Sequence, residues 1–225
     1  MTNTLHRFGD AESFRDDYVV FAIASRGKNE ENAVPRLKTF LEMARRFNPV
    51  NLGDARNGGA LRPSKSMNPL SHWNREIQPD FDAVVSGFDT MTTVAAVFDN
   101  RAAAEDFVKA VKEADLGLSI NISTSIEGAE QCCDHAELCR HSVGYSLGFE
   151  GKTEHLPNED VLKLATMCGH GMVSASLAKK MIDWVKEGRR TPEQAVSYLT
   201  RFCSCGVFNP ARGKRILEEA RTRTK

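Results

Sequence analysis

The first 131 residues contain no cysteine; all six (Cys132, Cys133, Cys139, Cys168, Cys203 and Cys205) come after them. Charge of one sign is also missing: Lys+Arg and Asp+Glu number 30 each, so the net charge is zero. A dedicated nucleic-acid binder carries a basic excess, so nucleic acid is not an expected partner. No apolar run reaches the roughly 18 residues of a membrane span. There is no basic amphipathic stretch either, so no membrane partner is expected. Residues 1–17 are polar and lack the apolar core of a secretion signal. These absences predict a cytoplasmic protein whose thiols stay reduced. The cysteines then read as thiols or metal ligands rather than a disulfide framework.

What is present suits a globular chain. The 225 residues are 41% hydrophobic and 27% charged, which is ordinary composition. A chain of this size buries roughly 70% of its unfolded surface without staples. Tyr18 to Ala24 is a continuous β-branched and aromatic run, a buried strand. Pro35 opens a helix with Leu37, Phe40, Leu41, Ala44 and Phe47 on one face, and Asn48-Pro49 ends it. Residues 50–80 lack periodicity and read as one long loop carrying Arg56, Arg62, Lys65, His72, Trp73 and Arg75, either a solvated surface loop or a lid that brings cations to an anionic ligand. Phe81–Ser86 and Thr92–Phe98 read as strands, 101–114 as a helix, Leu118–Ile122 as a strand, Ser125–Leu138 as a helix and Ser142–Phe149 as a strand. This rhythm predicts an α/β fold: an α+β sandwich with a ferredoxin-like core, over residues 1–156. After Pro157 the pattern is helical throughout, so 157–225 reads as a Cys/His-rich helical subdomain packed on that core. Thr191-Pro192-Glu193-Gln194 is a capping box.

Chemistry concentrates in three places. In Met167-Cys168-Gly169-His170-Gly171, two glycines flank a histidine. Gly169 and Gly171 allow positive φ and close approach to a ligand, and Cys168 is expected at a helix N-terminus, where a thiol pKa falls. Cys203-Ser204-Cys205-Gly206 places two thiols ahead of the helix begun by Asn209-Pro210, with Arg212 in its first turn as a carboxylate or phosphate binder. Finally, Cys132, Cys133, His135, Cys139 and His141 cluster, with His135 and Cys139 one helical turn apart and His141 leading into a strand.

Three functional readings remain open. In the first, Cys168, Cys203 and Cys205 hold a [4Fe-4S] cluster, or with His170 a zinc ion. His170 or His141 then moves protons, and Arg212, Gly169 and Gly171 hold a small anionic substrate. That chemistry suits a lyase, dehydratase or isomerase. The second rests on a local likeness. Met167-Cys168-Gly169-His170-Gly171 resembles the catalytic cysteine loop of the proline racemase and hydroxyproline epimerase family, and Cys205-Gly206 echoes that family's second Cys-Gly loop. The resemblance implies metal-free proton exchange between Cys168 and Cys205, with helix N-termini holding the substrate carboxylate. The third is a non-enzymatic metal- or partner-binding module with a structural zinc site. The sequence leaves a homo-oligomer open.

Overall fold

The computed structural model describes residues 5–61 and 79–223. Arg62, Lys65, His72, Trp73 and Arg75 of the expected loop lie outside them. Among the described residues the chain forms eight α-helices and a five-stranded, wholly antiparallel sheet. The strands are β1 (Tyr18–Ile23), β2 (Asn51–Asp54), β3 (Gly58–Gly59), β4 (Val94–Phe98) and β5 (Ser119–Ser123), in the order β3-β2-β4-β1-β5. Interleaved are α1 (Ala33–Arg45), α2 (Phe81–Ser86), α3 (Arg101–Glu113) and α4 (Ile126–His135). The C-terminal helices are α5 (Glu159–Ala165), α6 (Ala175–Lys186), α7 (Pro192–Thr200) and α8 (Pro210–Thr222).

Every residue of β1 is buried, because the sheet is covered on both faces. This is why its sequence is apolar without alternation. Tyr18, Val20, Ala22, Ala96 and Phe98 pack with Leu37, Phe40 and Leu41 of α1 and Phe107, Val108 and Val111 of α3. Val19, Phe21, Ile23, Ala95 and Val97 face the other way, into Leu164, Met181, Leu199, Phe208, Ile216 and Leu217. The C-terminal helices therefore share their core with the sheet. Most starts are capped as the sequence predicts: Asn100, Ser125, Asn158, Thr191 and Asn209 each accept a backbone N–H of the first turn.

Four local expectations are corrected. Phe81–Ser86 is a helix, capped by Asp80; Phe81, Val84 and Val85, at helical spacing, pack half-buried against the core beneath α1 and α3. Residues 51–59 are a hairpin rather than loop, held by the β2–β4 ladder in spite of strand-poor Asn-Leu-Gly-Asp. Helix α4 stops at His135 because Glu137 turns left-handed (φ 51°). Cys139 is then exposed beyond the helix, and the expected His135–Cys139 face does not form; His135 instead meets Asp106 at 3.1 Å. Ser142–Phe149 is no strand, since β5 ladders only with β1. His141 accordingly leads into irregular chain and is exposed.

Candidate functional site

Two loops at the C-terminal helices bring Cys168, His170, Cys203 and Cys205 together. Helix α5 ends in a turn closed by Met167 N–H to Leu164 and Gly169 N–H to Thr166 carbonyls. Gly169 takes φ 71°, and a Cβ there would stand 2.9 Å from Leu5. The N-terminal segment clamps this turn: Arg7 Nε donates to the Met167 carbonyl (3.0 Å) and Phe8 N–H to Thr166 Oγ1 (2.9 Å). Cys168 thus sits after a helix C-terminus, not at a helix N-terminus, and its side chain is fully buried.

The second loop, 203–209, links α7 to α8. Cys203 Sγ accepts the Phe208 N–H (3.3 Å), and Asn51 Nδ2 donates to the Phe208 carbonyl (2.9 Å). Gly206, at φ 73°, lies against the hairpin, where a Cβ would be 2.7 Å from Gly53 Cα and 2.9 Å from Gly59 Cα. Three glycine backbones meet there with no side chain between them. Gly53 and Gly59 let the Cys205-Gly206 loop approach the hairpin, a contact that sequence reasoning missed although the paired Gly58-Gly59 was an available signal.

The three thiols act on one another in sequence, Cys168 with Cys203 and Cys203 with Cys205. Nδ1 of His170 lies 3.3 Å from Cys205 Sγ, and the imidazole also bonds to Cys168. Cys168 and Cys203 are at most 2% exposed and Cys205 is 8% exposed, while His170 reaches solvent. The bond to Cys203 and burial push the Cys168 thiol up to about 12. At Cys203 the bond from Cys168 lowers the pKa, but the bond to Cys205 and burial outweigh it, giving about 11. Cys205 stands last, and the bond from Cys203 lowers its pKa against burial. The bond to Cys168 raises that of His170.

This order has a direct chemical readout. In metal-free protein at about pH 8, a short iodoacetamide pulse read by mass spectrometry should label Cys205 ahead of Cys168 and Cys203, because the thiolate is the nucleophile. Equal labelling of the three would contradict this order.

The other expected site residues lie elsewhere. Arg212 is fully buried and donates to Asp17 Oδ2 (2.9 Å), the Phe8 carbonyl (3.0 Å) and Ser13 Oγ (2.8 Å), with Phe14 beneath it at 4.0 Å. None of the bonds that join the thiols reaches His141. Gly171 has the expected positive φ of 65° but open space around it. Cys132 is core, and burial pushes its thiol up to about 12. Among the described residues no group of three or more His, Cys, Asp or Glu side chains already stands in metal-binding geometry. No protein-family model, curated protein or solved structure matches the chain.

Proposed function

We propose that Cys168, Cys203, Cys205 and His170 form a Cys₃His site for a single thiophilic metal ion of the zinc type. The observation that carries this reading is His170 Nδ1 standing 3.3 Å from Cys205 Sγ, beside a buried Cys203 whose Sγ accepts the Phe208 N–H at 3.3 Å. Hydrogen bonds to sulfur stabilise thiolates as ligands, and cysteines that merely pack have no need of them. The spacing agrees. Tetrahedral thiolates at about 2.3 Å from zinc lie about 3.8 Å from each other, a separation over which thiols also hydrogen-bond. Thiols gathered on two neighbouring loops fit one ion more readily than the wider thiolate spread of a [4Fe-4S] cube. They also fit poorly with two thiols on opposite faces of a substrate carbon, since Cys168 and Cys205 share one imidazole.

On this reading the ion ties the α5–α6 turn to the α7–α8 loop, and His170 is its one solvent-facing ligand. A substrate would reach the metal through that side, so lyase or isomerase chemistry on a small anion requires His170 to yield its place. With Arg212 committed to Asp17, the site offers such an anion no arginine from α8. Six free cysteines support a reducing, cytoplasmic setting. The order β2-β4-β1-β5 with crossovers α1 and α3 supports reading the sheet half as ferredoxin-like.

Elemental analysis of protein purified without oxygen tests the reading. About one zinc per chain is expected, lost in Cys168→Ser and Cys205→Ser. Loading should release protons, so affinity should climb as pH rises towards the raised thiol pKa values. About four irons with sulfide would replace the single ion with the cluster. Metal-free protein that exchanges α-protons of amino acids in D₂O would replace it with two-thiol chemistry.

A further inference from the structure

The stretch Ser142–Phe149 is anomalous for a folded chain. Its sequence alternates strictly: Val143, Tyr145, Leu147 and Phe149 against Ser142, Gly144, Ser146 and Gly148. That is the pattern of a strand with one apolar face. Yet the four large side chains are 52%, 67%, 86% and 45% exposed. Among the described residues, no backbone hydrogen bond is made by 142–149. The segment touches the body at its end, where Phe149 leans on Phe8 with ring centroids 5.9 Å apart.

A complementary vacancy exists in the same molecule. Strand β5 ladders with β1 on one side and ends the sheet on the other. Sheet edges are normally guarded by charge, proline, bulges or brevity. The opposite edge, β3, is only two residues long. In contrast, β5 reads Ser-Ile-Asn-Ile-Ser, with neither charge nor proline, and Ile120 and Ile122 are only partly buried. Residues 142–149 carry no charge or proline either. Arg7 Nη1 holds the Ser123 carbonyl (3.0 Å) at one end of β5; the remaining edge and an unpaired strand are each a template for the other.

We infer that residues 142–149 add as a strand to the β5 edge of a second copy of this chain, and that two copies exchange these strands about a two-fold axis. In its own chain the segment makes no bond to β5, so a second copy is the occupant that satisfies both surfaces at once. Exchange closes the assembly, because each chain donates one strand and receives one. The four exposed side chains present on the order of 400 Å² of apolar surface. Two donated strands and two receiving edges then cover on the order of 1,600 Å², the size of a stable interface. Gly148, at φ 88° in the free segment, is the residue type that can become extended on pairing at no steric cost.

The test is the solution mass of the full chain by sedimentation and light scattering. The chain is 24.9 kDa, and the exchanged pair is expected at twice that mass at tens of micromolar. Leu147→Lys puts a charge on the apolar face, and Tyr145→Pro removes a ladder donor. Both lie in the exposed segment, so each should weaken association at least tenfold and leave circular dichroism and metal content unchanged. A wild-type monomer overturns the inference, and protection of its 142–149 amides from hydrogen exchange would mean that its own chain covers them. A dimer that survives both substitutions overturns it as well.

Discussion

Asp17→Ala is expected to unfold this protein more readily than any other single substitution of a charged residue. Asp17 is fully buried and accepts from two guanidiniums, Arg7 and Arg212, whose side chains are 2% and 0% exposed. Asn209 Nδ2 adds a third donor at 3.0 Å. Burial and the proximity of Arg212 pull Arg7 well below its ordinary range, and burial leads the same shift at Arg212. The carboxylate is what makes two adjacent buried cations tolerable. Removing one partner of a buried pair costs about 3–5 kcal/mol, a large part of a typical stability of 5–15 kcal/mol. At roughly 2–4 °C per kcal/mol for a chain of this size, the midpoint should fall by about 6–20 °C. Calorimetry at fixed pH measures this. The triple change Asp17→Leu, Arg7→Met and Arg212→Met should recover much of the loss, because a buried ion group contributes little beyond an apolar replacement. A midpoint within 2 °C of wild type for Asp17→Ala would refute the assignment.

Gly206→Ala should do comparable damage by a different route and, if the proposed Cys₃His site holds zinc, should lower the zinc content. Two costs combine. A left-handed residue other than glycine costs about 1–2 kcal/mol, and forcing a methyl into close-packed atoms costs about 1–3 kcal/mol. Here the intruding Cβ meets backbone, Gly53 Cα at 2.7 Å and Gly59 Cα at 2.9 Å, and backbone cannot rotate away as a side chain does. The loop would lift from the hairpin, carrying Cys203 and Cys205 from Cys168. Gly188→Ala is the matched control: φ is 72° but nothing lies within 4 Å, so only the backbone cost applies. Equal destabilisation by the two, with metal content unchanged in Gly206→Ala, would show that the glycine contact does not position the site.

The parts of this fold that were legible in sequence are those decided locally. Strand β1 announces itself because both faces are covered, and helices α3 to α8 because their caps and apolar stripes lie within a few residues of each other. Strand β2 was not legible, since Asn51–Asp54 is made a strand by its ladder with β4 and by the glycine contact with Gly206. The expected strand at 142–149 does not form, because an alternating pattern marks a strand only where a neighbouring strand is there to pair with it, and among the described residues of this chain none is. At the site, glycine-flanked thiols pointed to Cys168, Cys203 and Cys205, and their convergence follows from the packing of α5 to α8. Arg212 misled for a physical reason. A first-turn arginine has the same sequence signature whether it faces a ligand or a buried acid, and its acid stands 195 positions away.

That separation also bears on how the chain comes to be folded in a cell. Asp17 emerges from the ribosome well before its second cation, which stands 195 positions later. At about 5–20 residues per second, synthesis of the intervening chain takes roughly 10–40 s. Throughout that interval β1 cannot be sealed, because helix α8, which brings Asn209, Arg212 and Arg215 to Asp16 and Asp17, does not yet exist. Until α8 is made, the face of the sheet that packs on the C-terminal helices is incompletely covered.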